Sequence, residues 1–182
     1  RQAVALADRA VAADRTKYPA GAFPYFLFVK GLADYRQGRF DQVISAMKGD
    51  ASRALGPAPR LVLAMALHRT GQEAEARKVL ALAVPSYDWR VAKIHDQDGC
   101  ICHVLRREAE RLILPNLPAF LEGKHQPRDN DERFALIGIC QSTNRNRELV
   151  GLYTDIFTDN PALASDLNGG HRFDAARAAS LV

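Results

Sequence analysis

His95, Cys100, Cys102 and His103 lie within a nine-residue window, and thiolates and imidazoles are the usual ligands of zinc. Their spacing argues against a structural zinc site. Such sites pair cysteines as Cys-x2-Cys, whereas Cys100 and Cys102 on a helix would point to different sides, leaving only Cys100 and His103 on a shared face. The same thiols also serve as small apolar side chains packing a helix start. The segment Asp96-Gln97-Asp98-Gly99 has the opening of a calcium loop. That loop must end in a bidentate Glu at its twelfth position, where this chain has Arg107. The aspartates are expected to cap the helix that follows. Five histidines and three cysteines allow a nucleophile and a base to meet, but no motif brings them together. No metal, cofactor or catalytic residue is therefore expected.

Positioning any of these groups falls to a chain of 182 residues, 47% hydrophobic and 25% charged. That balance excludes a disordered, collagenous or membrane-spanning chain. Nineteen arginines and a net charge of +4 permit attraction to acidic partners without requiring it. Twenty-nine alanines favour close-packed helices over sheets. Three scattered cysteines are not a disulfide framework, which points to a reducing, cytoplasmic setting. The chain opens at Arg1 rather than Met and already in a helical pattern, so it is expected to be part of a longer polypeptide.

Two segments share a frame. Residues 27–48 read LFVKGLADYRQGRFDQVISAMK and residues 60–82 read RLVLAMALHRTGQEAEARKVLAL. Each is an apolar helix, a basic residue, one spacer, a Gly and a second amphipathic helix; Gly38 and Gly71 lie 33 residues apart. A left-handed residue closes a helix at that place, and Gly takes it without strain. The second helices then turn Phe40, Val43, Ile44 and Met47, or Ala76, Val79, Leu80 and Ala83, back onto the first.

This frame resembles the tetratricopeptide repeat, a helix–turn–helix unit. Gly31 and Ala64 match its small position in the first helix (helix A), Gly38 and Gly71 its turn, and Val43 and Ala76 the small position in the second (helix B). Residues 132–161 form a diverged third unit with Leu136, Leu149, Tyr153 and Pro161 in frame and Asn144 in place of the turn Gly. Asn also tolerates the left-handed conformation. Residues 1–14 resemble helix B of a preceding unit and 171–181 helix A of a following one. The expected fold is all-α: a tetratricopeptide-like array of antiparallel helix pairs, an α-solenoid, with an inserted long helix. Its parts are 1–85 (repeats), 86–128 (insertion, with the long helix at 102–114) and 129–182 (diverged repeat and the start of another). The long helix is expected to set Val104, Leu105, Leu112 and Ile113 on one side and Arg106, Arg107, Glu110 and Arg111 on the other. Ion pairs Glu108–Arg111 and Arg107–Glu110 are expected along its solvated face.

Across nearly the whole chain, the succession Tyr87–Trp89, His103–Ile113, Leu117–Pro127 and residues 152–181 is similar to the C-terminal repeat region of large bacterial serine/threonine protein kinases of the planctomycete type. The resemblance implies a kinase domain elsewhere in the parent polypeptide. It does not make this segment catalytic: it has no glycine-rich loop on a strand pair, no phosphate-binding Lys and no pair of catalytic and metal-binding Asp. The string His171-Arg172-Phe173-Asp174 has the look of a catalytic loop but lies in an alanine-rich helix.

In an array of this kind helix A residues line the concave side. The groove is expected to comprise Tyr25, Phe28, Leu32, Tyr35 and Arg36 from the first unit. Leu61, Met65, His68 and Arg69 come from the second, and Phe134, Gln141 and Ser142 from the third. Such a surface suits an extended peptide or partner helix, although the same residues also suit packing against a neighbouring repeat. The expected function is a scaffold or regulatory protein–protein interaction module attached to a serine/threonine kinase. The alternatives are that the parent chain's activity is ATP-dependent phosphotransfer, or that Arg90, Arg106, Arg107 and Arg111 bind RNA. Interleaved Glu108 and Glu110 weigh against the RNA reading.

Overall fold

The computed structural model describes residues 2–12, 17–19, 21–89, 97–166 and 169–182, and these are all-helical, with no strand among them. Helices α1 (Gln2–Ala12), α2 (Ala22–Arg36), α3 (Phe40–Lys48), α4 (Ala58–Arg69) and α5 (Glu73–Ala83) follow in close succession. After them come α6 (Gln97–Ile113), α7 (Leu117–Leu121), α8 (Asn130–Ser142), α9 (Asn146–Asp159), α10 (Pro161–Ser165) and α11 (His171–Ala179). Neighbours pack in file: α1 on α2, α2 on α3, α3 on α4, α4 on α5. The file then skips the insertion, because α8 packs directly on α5, followed by α9 on α8 and α11 on α9.

The turns explain the pairing. Gly38 (φ 76°), Gly71 (φ 79°) and Asn144 (φ 55°) all adopt the left-handed conformation. In each turn the next residue's N–H reaches back five positions: Arg39 to the Asp34 carbonyl at 3.0 Å, Gln72 to Leu67 at 2.9 Å, and Arg145 to Cys140 at 2.9 Å. This closure satisfies carbonyls left over at the helix end and fixes the direction of the following helix. The three turns therefore superpose in hydrogen bonding although one lacks Gly. The short α7 ends the same way, with Gly123 at φ 72° and Lys124 N–H donating to the Ala119 carbonyl at 2.8 Å.

The second helices bury the side expected of them. Val43, Met47, Ala76, Leu80 and Ala83 are buried, with Phe40, Ile44 and Val79 packed against them. Gly31 allows α2 and α3 to touch: a Cβ there would lie 2.4 Å from the Met47 Cε. α4 is apolar all round and buried from Leu61 through Leu67, since α3, α5 and α6 enclose it. α8 starts on a side-chain cap: the Asp129 carboxylate accepts the Glu132 N–H at 2.8 Å, and the Glu132 carboxylate reaches back past the cap to accept the Arg128 N–H at 2.9 Å. Among the described residues no helix is long and apolar enough to cross a membrane.

Candidate functional site

The first helices of the three pairs, α2, α4 and α8, carry the residues expected to line an open groove. The structure closes the middle of that groove with the chain's own α6. Its Cys102 thiol sits 3.5 Å from the Leu55 carbonyl just before α4, and its Arg107 and Glu108 share a cleft with Arg69 at the far end of α4. α6 thus lies along α4, running in the same direction. Three frame-equivalent positions, each two residues before a turn, meet it. Arg36 of α2 forms a two-pronged ion pair with Glu108, Arg69 of α4 lines the cleft beside Glu108, and Ser142 of α8 accepts from Arg106 Nη2 at 2.9 Å.

The expected groove residues consequently divide. Leu61 and Met65 are fully buried, and Phe28 and Tyr35 nearly so, which corrects their expected role as contacts for a ligand. Tyr35 packs against Phe40 with ring centroids 5.7 Å apart. Leu32, Phe134 and His68 are half-buried, and the His68 Nδ1 is enclosed. Gln141 is turned inward to donate to Asp174 of α11 at 3.3 Å. Of the twelve expected positions, Tyr25, Arg36 and Arg69 remain exposed, and Arg36 is committed to Glu108. Two physical reasons combine: the forty-odd residues between α5 and α8 supply the helix α6 that packs on α4, whereas Phe28 and Tyr35 lie on α2, which packs between α1 and α3.

α6 is rotated from its expected orientation. Its buried face is Gly99, Cys102, Leu105, Arg106, Ala109 and Ile113, while Val104 is 63% exposed. Arg106 is tolerated inside because its charge is met on every side. Its Nε donates to Glu110 at 2.5 Å, and its guanidinium lies 4.6 Å from the centroid of the Trp89 ring. Trp89 is itself fixed by donating to the Val84 carbonyl and by edge packing against His103. Burial, then the charges of Arg106 and Arg107, push the His103 pKa down. The expected pairs Glu108–Arg111 and Arg107–Glu110 do not form. Glu108 is taken by Arg36 and Glu110 by Arg106, so Arg107 and Arg111 face outward without either acid.

The remaining chemical candidates have structural surroundings. His95, Asp96 and Arg90 lie outside the described residues. Among the described residues no group of three or more His, Cys, Asp and Glu is placed to hold a metal ion. Cys100 is exposed, while Cys102 and Cys140 are buried, and burial pushes the Cys140 thiol up to about 12. His171 packs on Phe134 at 5.5 Å, Asp174 is held by Gln141 and by Arg177 at 3.4 Å, and Phe173 points into solvent. Glu132 is buried beside Arg128 and lies 3.5 Å from His125 Nε2. Burial opposes its ionisation, but the Arg128 N–H and guanidinium outweigh it and hold the carboxyl below its usual range.

Comparison of the chain with protein-family models, with curated proteins and with solved structures finds no match.

Proposed function

We propose that the chain is a non-catalytic protein-interaction module of tetratricopeptide-like helix pairs. The observation that carries this reading is the set of three equivalent turns at Gly38, Gly71 and Asn144, which set successive helix pairs in file. Repeating pairs give an extended surface at little entropic cost, because each unit is held rigid by its neighbours. α6 lies along α4 and presents its own outward side as the replacement for the closed groove. The similarity to the repeat region of bacterial serine/threonine kinases supports placing the module in a regulatory role beside a kinase domain of the parent polypeptide.

The test is quantitative affinity capture with the full chain, alongside calorimetric titration with Mg-ATP. The expected result is a protein retained at near-equal stoichiometry and no heat of nucleotide binding. Saturable ATP binding, or the lack of any stoichiometric partner, overturns the reading.

A further inference from the structure

Arg107 and Arg111 stand one helical turn apart on the outward side of α6, and Arg69 approaches them from the end of α4. The two nearest acids in the sequence are spent elsewhere, Glu108 on Arg36 and Glu110 on Arg106. Among the described residues, none of the three guanidiniums has a carboxylate at ion-pair distance. Arg107 and Arg111 also form the shared wall of two clefts. One runs past Val104 and Leu112 to Arg69. The other, about 350 Å³, lies between α6 and α7 and is floored by Leu114, Leu117, Pro118 and Leu121.

We propose that this face docks an acidic amphipathic peptide segment, with an apolar side chain seated between α6 and α7 and carboxylates on Arg107, Arg111 and Arg69. The proposal rests on the interaction-module reading and names the chemistry of its partner. Arginine forks bind carboxylates in two-pronged fashion, and arginine beside an apolar pocket is the composition of interface hot spots. Charge complementarity selects the acid: three exposed cations on one face, with no acid at ion-pair distance, repel a basic segment and attract an acidic one. Nucleic acid fits less well. No aromatic side chain lines either cleft to stack a base, the floor is aliphatic, and Glu108 and Glu110 border the arginines where a phosphate backbone would run.

The experiment is fluorescence anisotropy on the full chain. The probes are a labelled peptide of Asp and Glu with leucines one helical turn apart, the same peptide with serine for leucine, and labelled oligouridylate of equal length. The leucine peptide is expected to bind tightest and to lose about tenfold in affinity against Arg107→Glu/Arg111→Glu. Arg60→Glu/Arg147→Glu, which removes the same charge elsewhere on the surface, should leave it unchanged. Should the reversal disturb folding, Arg107→Gln/Arg111→Gln replaces it and still weakens binding. Equal binding of the serine peptide, tighter binding of oligouridylate, equal loss in the control variant, or no binding of the leucine peptide each overturns the proposal. A stoichiometric partner still captured by Arg107→Glu/Arg111→Glu would refute this docking face alone; failure to capture any partner with the unmodified chain would refute the module reading itself.

Discussion

Arg36 and Glu108, 72 residues apart in the chain, meet in a two-pronged ion pair, with Arg36 Nη2 donating to Glu108 Oε2 at 2.6 Å and Nη1 to the other oxygen. The pair joins the end of α2 to the middle of α6. It is the polar counterpart of the apolar packing of α6 on α4, and it removes from α6 the acid that would otherwise neutralise Arg111.

Glu108→Gln should loosen α6 without unfolding the chain. Arg36 is half exposed, so solvent screens the pair and its loss costs only about 0.5 kcal/mol in global stability. The sharper readout is hydrogen exchange: amides of α6 should exchange faster in the variant, with those of α4 and α5 unchanged. Equal acceleration throughout the chain would contradict a local tether.

Leu61→Ala and Met65→Ala separate core from groove. Both side chains are fully buried in α4, so each truncation should cost about 2–5 kcal/mol in urea denaturation. Tyr25→Ser, on the exposed side of α2, should cost less than about 0.5 kcal/mol. Comparable values at the three sites would mean that Leu61 and Met65 are not core.

The turn residues carry their own prediction. Gly71→Ala places a Cβ at φ 79° and should destabilise by about 1 kcal/mol, although nothing lies near enough to clash. Asn144→Ala should lose a similar amount, and Asn144→Gly should keep the stability of the parent. Thermal midpoints of the three variants measure this directly.

Acid stability should depend on Glu132. Its carboxyl is held below the usual 4.5 in the folded chain, so ionised Glu132 favours the folded state, fully so above the unfolded value. That contribution fades as pH falls from 4.5 through the folded value. Denaturation midpoints measured from pH 6 downward should therefore fall less steeply in Glu132→Gln than in the unmodified chain. Parallel curves would remove Glu132 from the account.

The helix pairs were legible because their determinants are local. The 33-residue step from Gly38 to Gly71 and the apolar spacing of Val43, Met47, Ala76 and Leu80 depend only on backbone conformation and helical period. Even the substitution of Asn144 for Gly is readable, since either residue accepts a left-handed backbone. α7 was not legible: five residues are too few to display a period, and a Pro at its start resembles a linker. Arg106 and Val104 show the larger gap. Their types place one outside and the other inside, and the structure reverses both.

The sequence by itself determined that this protein is built of paired helices, where those pairs turn, and which side of each second helix is apolar. Only the tertiary structure decided that α6 lies over α4, that Leu61 and Met65 are core, and that Arg107 and Arg111 are left without acids. The reason is that Arg106 is made tolerable inside by Trp89 and Ser142, and Glu108 is claimed by Arg36, all partners distant along the chain. Helical period ranks the faces of a helix by their own residues; which face is buried depends on what the neighbouring elements bring to it.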